Sequence, residues 1–289
     1  MSTATMSPQD MQQQTTKRQQ NLTKRQLTEA EFHDKWAEEI NFQELDPEVT
    51  FEASTAQECQ YILSEMAKAG SLAGKNVLDL GCGCGESAVY FAKQGAVVSA
   101  CDISPKFVEV AKQLAEHHNV GINATVSTAE RLPYPDQSFD FVYANGVLHH
   151  VDIIPTMLEI KRILKPGGRG FFIEPLPYNP AINVYRQVAK EVRTPDERPL
   201  NGQDCNKIRA VFPETEIKGF WFFTLLVFMY FFLIERANPN KERYWKKVLY
   251  EAENYQHIYK PLKMLDNFLL PKLRFLEPLC WNMVISVTA

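Results

Sequence analysis

The chain has 289 residues, a mass of 33.1 kDa, 45% hydrophobic residues and a net charge of −4. This length and balance are typical of one large globular domain with additions or of two small ones. The acidic charge argues against a surface that binds nucleic acid, and six cysteines are too few for a disulfide scaffold. We therefore expect reduced thiols, a cytoplasmic location and no nucleic-acid partner.

Residues 1–27 are polar, with scattered Lys and Arg and no apolar segment typical of a secretory signal. This composition predicts a disordered tail, with an organellar targeting peptide as the alternative. Two helices follow, over residues 28–40 and 55–68. Thr28 and Glu31 have the spacing of a capping box, which predicts that the first helix begins there.

From residue 76 onwards the pattern changes to short apolar strands that alternate with helices. Strands are predicted at 76–80, 96–101, 123–127, 139–144 and 169–174, with helices at 86–94, 105–119 and 154–164. Alternation of this kind, with short loops, indicates a parallel sheet that is covered by helices on both faces.

A glycine-rich loop, residues 79–85, connects the first strand to the following helix. Glycines let the backbone approach a ligand closely, and the carboxyl end of a strand is where such sheets bind ligands. Asp102 ends the next strand, at the place of an acid that binds ribose hydroxyls. The loop also fits a dinucleotide GxGxxA pattern, but Asp79 would repel a pyrophosphate. A cationic ligand such as S-adenosylmethionine suits Asp79 better.

Five sequence blocks carry a resemblance to a known family. They are VLDLGCGCG at 77–85, DISP at 102–105, AERLPYPDQSFD at 129–140, NGVLHH at 145–150 and RILKPGG at 162–168. In order and spacing they resemble the class I S-adenosylmethionine-dependent methyltransferases, in particular the small-molecule type 11 branch. The resemblance covers about a third of the chain well, and the flanks match more loosely.

The resemblance implies a Rossmann-like, doubly wound α/β fold with seven strands, of which the last is antiparallel. Residues 73–175 would form the core that binds S-adenosylmethionine, and residues 28–72 a helical lid over the cofactor. A helix stacked on the sheet edge is the alternative for the lid. Residues 176–289 would form the acceptor side, with a helical insertion before the last strand.

The resemblance also implies a role for individual residues. The cofactor-binding residues would be Asp79, Gly81, Gly83, Gly85, Asp102, Ile103, Thr128, Ala129 and Asn145. Asp79 would reach the amino group of the cofactor, Asp102 the ribose, and Ile103 the adenine. Cys82 and Cys84 have no further Cys or His at ligand spacing, so no metal is expected.

Candidate catalytic residues follow the fourth and fifth predicted strands. His150, His149 and Glu174 could remove a proton from the acceptor, because histidine titrates near neutral pH. Interior packing or helix capping is the alternative for each histidine, and for Glu174 the alternative is a buried acid paired with a neighbouring backbone group or Arg. Tyr178 and Tyr185 could shape the acceptor pocket, with ordinary packing as their alternative.

The C-terminal third contains an apolar run, residues 220–234, that is shorter than a membrane-spanning helix. The implied fold needs a sixth strand before a final one at 281–288, so we expect a strand over 216–224 and a helix from 225. That helix would pack in the core or wall the acceptor pocket, or else contact a membrane surface or a second copy of the chain. Its aromatic richness favours an apolar acceptor.

The predicted function is transfer of a methyl group from S-adenosylmethionine to a small, hydrophobic acceptor at oxygen, nitrogen or carbon. A cofactor-binding module without catalysis is one alternative. A nicotinamide-dependent oxidoreductase is another, and it depends on the GxGxxA pattern alone.

Overall fold

The computed structural model describes residues 22–188 and 198–289, so most of the predicted N-terminal tail lies outside the described residues. One seven-stranded sheet runs through the molecule in the order β3-β2-β1-β4-β5-β7-β6. The strands are β1 (Asn76–Leu80), β2 (Val97–Asp102), β3 (Ile122–Val126), β4 (Phe139–Asn145), β5 (Leu164–Pro175), β6 (Glu216–Phe220) and β7 (Asn282–Thr288). Strands β1 to β5 are parallel, and β7 is antiparallel to both of its neighbours. The doubly wound α/β fold with an antiparallel last strand is confirmed.

Helices surround this sheet. They are α1 (Lys24–Glu38), α2 (Val49–Glu52), α3 (Gln57–Ala67), α4 (Glu86–Lys93), α5 (Pro105–His117), α6 (Ile153–Ile163), α7 (Pro180–Val188), α8 (Gly202–Val211), α9 (Leu226–Leu233), α10 (Tyr244–Tyr250) and α11 (Ala252–Leu269). The last three helices are inserted between β6 and β7, where the sequence predicted a helical insertion. Among residues 22–188 and 198–289, no helix is long and apolar enough to cross a membrane.

The hydrophobic core lies on both faces of the sheet, because successive side chains of a strand point to opposite faces. On β4, Tyr143 belongs to one apolar cluster and its neighbour Val142 to the other. Phe171 and Phe172 divide in the same way on β5. The central strands are thus buried on both faces, which explains why they read as apolar runs rather than as alternating patterns.

The start of the first helix differs from the prediction. Helix α1 begins at Lys24, and the capping box is formed by Thr23 and Gln26 instead of Thr28 and Glu31. The Thr28 hydroxyl donates a hydrogen bond to the Lys24 carbonyl oxygen, within the first turns of the helix. The expectation that the tail extends to residue 27 was therefore wrong for its last residues.

The sixth strand is also shorter than predicted. It ends at Phe220, whose partner Asn282 is the first residue of β7, so the antiparallel ladder has no further strand to pair with. The next residue, Trp221, has a φ of 66° and turns the chain away from the sheet. The expectation of a strand through residue 224 was therefore wrong.

Beyond this turn, a carboxylate accepts the backbone hydrogen bonds that a neighbouring strand would accept in the sheet. Asp266 on α11 accepts hydrogen bonds from the backbone N–H groups of Phe223 and Thr224 and from the Thr224 hydroxyl. The chain then enters α9, close to the predicted start of that helix.

Candidate active site

A cleft with a volume of about 530 Å³ opens at the carboxyl ends of β1, β2, β4 and β5. The strand order reverses between β1 and β4, and ligands of doubly wound sheets bind at this point. The cleft touches all the residues predicted for the cofactor except Gly85, and all three predicted catalytic residues. It is also lined by α1, by α3 and by residues on both sides of the insertion.

The three loop glycines have different surroundings, although all three have positive φ. A Cβ on Gly81 would lie 2.4 Å from Val147, and a Cβ on Gly85 would lie 2.6 Å from Ala111. A Cβ on Gly83 would meet no atom within 4 Å. Gly81 and Gly85 are therefore needed for close packing of the protein on itself, whereas the space above Gly83 is open towards the cleft.

Asp79 is the last but one residue of β1 and is only 2% exposed. Its Oδ2 has no hydrogen-bond partner among the described residues. Burial raises the pKa of Asp79 to about 7, against the opposing effect of the Ala88 backbone N–H. A buried, unpartnered carboxyl oxygen that lines a cleft is a site for a hydrogen-bond donor or a cation.

Asp102 is held at the end of β2 by backbone donors. Its Oδ2 accepts a hydrogen bond from the Gly83 N–H at 3.0 Å, and its Oδ1 accepts one from the Ser104 N–H at 2.8 Å. Burial raises the pKa of Asp102, and the Ser104 N–H and His33 act in the opposite direction. The carboxylate thus connects the glycine loop to the start of α5 and has lone pairs left for a ligand.

The residues predicted to surround an adenine lie beside Asp102. Ile103, Thr128 and Ala129 all line the cleft, and so does Asn145 at the end of β4. Glu130 follows them and accepts hydrogen bonds from the Gln26 side chain of α1 and from the Asp152 N–H. The loop after β3 is therefore tied to the N-terminal helix across the cleft.

Glu174 is fully buried at the end of β5. One of its oxygens accepts hydrogen bonds from the N–H groups of Val147 and Leu148, and the other lies 2.7 Å from Nδ1 of His149. Both oxygens are thus engaged by the turn after β4. This geometry favours a role in positioning that turn over proton transfer by Glu174, and it fixes the His149 ring.

His150 lies at the contact between the cleft and α1. Its Nδ1 is 3.2 Å from Oε1 of Glu29, and the His33 and His150 ring centroids are 6.0 Å apart. Arg25 of the same helix donates a hydrogen bond to the His149 carbonyl oxygen. His150 therefore lines the cleft while it packs against the helix that covers it.

Sequence reasoning missed several residues that line the cleft. They are Glu58, Tyr143, Trp221, Trp281 and Asn282, and with the predicted Tyr185 we call them the aromatic compartment. These residues come from α3, β4, the turn after β6 and the start of β7, so no local motif connects them. Only the aromatic content of the apolar run suggested such a pocket.

Tyr178 is placed elsewhere, because its hydroxyl accepts a hydrogen bond from the Gly202 N–H and its side chain does not line the cleft. The suggestion that it shapes the acceptor pocket was therefore wrong. Among the residues that the structure describes, no group of three or more His, Cys, Asp or Glu is placed to hold a metal ion.

The fold and the cleft together define a doubly wound α/β protein with a ligand cleft at the switch point of its sheet. Residues 78–172 match a family model described as a methyltransferase domain. About a third of the chain is thus similar to a methyltransferase domain, and its curated relatives over this segment include methyltransferases.

Curated relatives share the same segment. The ubiquinone biosynthesis O-methyltransferase of Coxiella burnetii is 38% identical over 103 residues, which cover 35% of this chain and 44% of the relative. The demethylmenaquinone methyltransferase of Chlorobaculum parvum is 38% identical over 109 residues, which cover 37% and 44%. The chain thus spans less than half the length of these curated relatives.

A solved structure supports the fold over a longer stretch. It is phosphoethanolamine N-methyltransferase 2 of Haemonchus contortus in complex with phosphomonomethylethanolamine and S-adenosylhomocysteine. It is 18% identical, covers 80% of this chain and 52% of its own, and has a TM-score of 0.51. At this identity the likeness supports the arrangement of strands and helices alone.

Proposed function

We propose that this protein transfers a methyl group from S-adenosylmethionine to a small acceptor with a largely apolar body. The observation that carries the proposal is the placement of Asp79, Gly83 and Asp102 in one cleft that continues into an aromatic compartment. The buried Asp79 carboxyl would receive the amino group of the cofactor, and Asp102 its ribose hydroxyls. The open space above Gly83 would admit the part of the cofactor that connects its amino group to its ribose.

S-Adenosylmethionine supplies an electrophilic methyl group when it is bound. The protein's own contribution would be to hold the acceptor in line with that methyl and to exclude water, and alignment of this kind supplies much of the acceleration of a displacement. Helix α1 would cover the cofactor through its hydrogen bonds to Glu130 and His149. His150 faces the cleft and remains our candidate for a proton acceptor, with His149 held against Glu174.

The apolar character of the acceptor is supported by the aromatic compartment, where Trp221, Trp281 and Tyr185 line the cleft. The nicotinamide alternative has less support. Asp79 would place a carboxyl beside a pyrophosphate, at the loop where dinucleotide-binding proteins approach it with backbone N–H groups.

We also propose that the exposed face of α9 makes a contact with another molecule or surface. Val227, Phe228 and Phe231 are buried, whereas the remaining apolar side chains of this helix are exposed, namely Leu226, Met229, Phe232 and Leu233. An exposed apolar face of this kind is typical of a contact with a second copy or with a membrane surface. Sedimentation of the full chain with and without lipid vesicles distinguishes these two contacts.

The direct test is incubation with methyl-labelled S-adenosylmethionine and a small-molecule extract, followed by identification of the labelled product. We expect label in a small organic molecule, and Asp102→Ala should weaken cofactor binding by about 1–3 kcal/mol, the cost of a lost charge-assisted hydrogen bond. Asp136→Ala is the control, because this exposed acid pairs with Arg162 and does not line the cleft. Cofactor binding without any labelled product would instead support the non-catalytic module.

A further inference from the structure

One buried carboxyl in the aromatic compartment has no role in the cofactor site. Glu58 on α3 is 7% exposed and lines the cleft. Its Oε2 accepts a hydrogen bond from the Trp221 indole N–H at 3.0 Å, and its Oε1 accepts one from the Asn282 amide at 2.8 Å. Both donors are neutral, and each carboxylate oxygen retains a further lone pair.

The charge of Glu58 is not balanced by an ion pair with any residue that the structure describes. Lys263 is a cation whose charge influences the pKa of Glu58, but its ammonium lies 3.4 Å from the Ser54 carbonyl oxygen and 3.5 Å from the Gln60 side chain. Burial raises the pKa of Glu58, as expected for an acid that lacks a cationic partner. An ionised carboxylate in such a place is costly unless a positive group joins it.

The Trp221 ring that donates to this carboxyl belongs to a cluster of aromatic rings. Trp221 and Trp281 meet edge to face with centroids 5.7 Å apart, and Phe228 lies 4.8 Å from Trp281. The positive φ of Trp221 is unfavourable for a bulky residue, and backbone strain of this kind is concentrated at functional sites. Aromatic faces attract cations, and this attraction adds to that of a carboxylate.

We infer that Glu58, Trp221 and Asn282 form a subsite for a protonated amine on the acceptor, so that the preferred acceptors are amines with an apolar body. This inference rests on the proposed function and narrows its acceptor class. Glu58 acts here as a recognition residue, and the subsite would orient the acceptor relative to the cofactor without a proton transfer of its own.

The test compares phenethylamine with 2-phenylethanol, two probes of similar size that differ in charge. Calorimetry uses the full chain saturated with S-adenosylhomocysteine. We expect phenethylamine to bind at least tenfold more tightly than the alcohol, and Glu58→Gln to remove this preference while the affinity for S-adenosylhomocysteine stays the same. Glu65→Gln is the matched control, because Glu65 lies on the same helix, pairs with Lys68 and Arg169, and is outside the cleft.

A second measurement needs no change at Glu58. The indole N–H resonance of Trp221, assigned with Trp221→Phe, should shift when phenethylamine saturates the wild-type protein and stay in place with the alcohol. Equal affinity for the two probes, binding of neither, or an unmoved resonance would overturn the inference. A Glu58→Gln protein that loses S-adenosylhomocysteine would also overturn it, since Glu58 would then belong to the cofactor site. Failure of the wild-type protein to bind S-adenosylhomocysteine would instead contradict the proposed function.

Discussion

At the residue scale, the ionised carboxylate of Asp79 would bind the proposed ligand but lowers the stability of the ligand-free protein. Its pKa is about 7 in the folded protein and 3.8 for the ordinary group, so the folded state retains a proton that the unfolded state has lost between these values. The contribution of Asp79 to stability is therefore greatest below about pH 4 and is lost as the pH rises through 7. A cationic amino group reverses this balance, because it favours the ionised carboxylate.

We therefore predict that removal of the Asp79 charge lowers the affinity for the cofactor and raises the stability of the ligand-free protein. Between pH 5.5 and 7, the affinity for S-adenosylmethionine should rise by up to about tenfold per pH unit, since binding requires deprotonation of Asp79. Asp79→Asn should bind more weakly and with a flatter pH profile, yet it should have a higher melting temperature than the wild-type protein at pH 8. Calorimetry and thermal melts measure both effects. An unchanged pH profile in the variant would remove Asp79 from the amino-group site.

Gly83 and Gly85 are expected to have different roles, because Gly83 faces open space in the cleft and Gly85 packs closely against the protein. Both have positive φ, so a side chain is strained at either position, but only Gly85 contacts Ala111. We expect Gly85→Ala to lower the free energy of unfolding by about 1–3 kcal/mol more than Gly83→Ala, because of overpacking. Gly83→Val should keep the fold and abolish cofactor binding. Denaturant titration and calorimetry test the pair, and normal binding by Gly83→Val would show that the cofactor does not pass over this residue.

At the scale of elements, the segment between β6 and α9 depends for its hydrogen bonds on one carboxylate from the distant helix α11. Asp266 is 4% exposed and accepts three hydrogen bonds from the segment that joins β6 to α9. Asp266→Ala would remove the hydrogen-bond partner of the backbone N–H groups of Phe223 and Thr224. We expect a loss of about 2–6 kcal/mol in the free energy of unfolding, at about 1–3 kcal/mol for each of the two unsatisfied groups.

Asn267→Ala is the control for this change, since it removes an exposed side chain from the next position of the same helix. Denaturant unfolding of both variants gives the comparison. Equal stability of the two would mean that the turn after β6 is held by its aromatic packing alone.

The same turn shows why the sequence predicted the elements better than their ends. Alternation of apolar strands and helices was sufficient to predict a parallel sheet covered by helices, and the family resemblance implied the antiparallel last strand. The end of β6 is set by where β7 begins and by Asp266, both of which are distant in sequence. The start of α1 was ambiguous for a local reason, because Thr23 with Gln26 and Thr28 with Glu31 have the same capping-box spacing.

The residues of the candidate site also differ in whether the sequence could predict them. The cofactor residues follow successive strands within about seventy residues, so a motif could find them. Glu58 belongs to a helix before the first strand, and its partner Asn282 lies near the end of the chain. Their contact exists only because β7 inserts between β5 and β6, which brings the start of β7 above the cleft.

At the scale of the whole molecule, one cleft collects residues from position 26 to position 282. Helix α1 contacts the loop after β3 and the turn after β4, and the insertion supplies the far wall. A ligand in this cleft would therefore stabilise contacts between parts of the chain that are remote in sequence. Its binding free energy should appear as stability of the entire fold.

We accordingly predict a large thermal shift with S-adenosylhomocysteine and none with NAD. At a ligand concentration of about one hundred times the Kd, binding adds about 2.7 kcal/mol to stability. For a protein of this size, that corresponds to a rise of roughly 5–10 °C in the melting temperature. Asp102→Ala should show a smaller shift at the same concentration, because its ribose contact is lost. A shift with NAD of equal size would favour the dinucleotide interpretation of the glycine loop, since the Asp79 carboxyl would then tolerate a pyrophosphate.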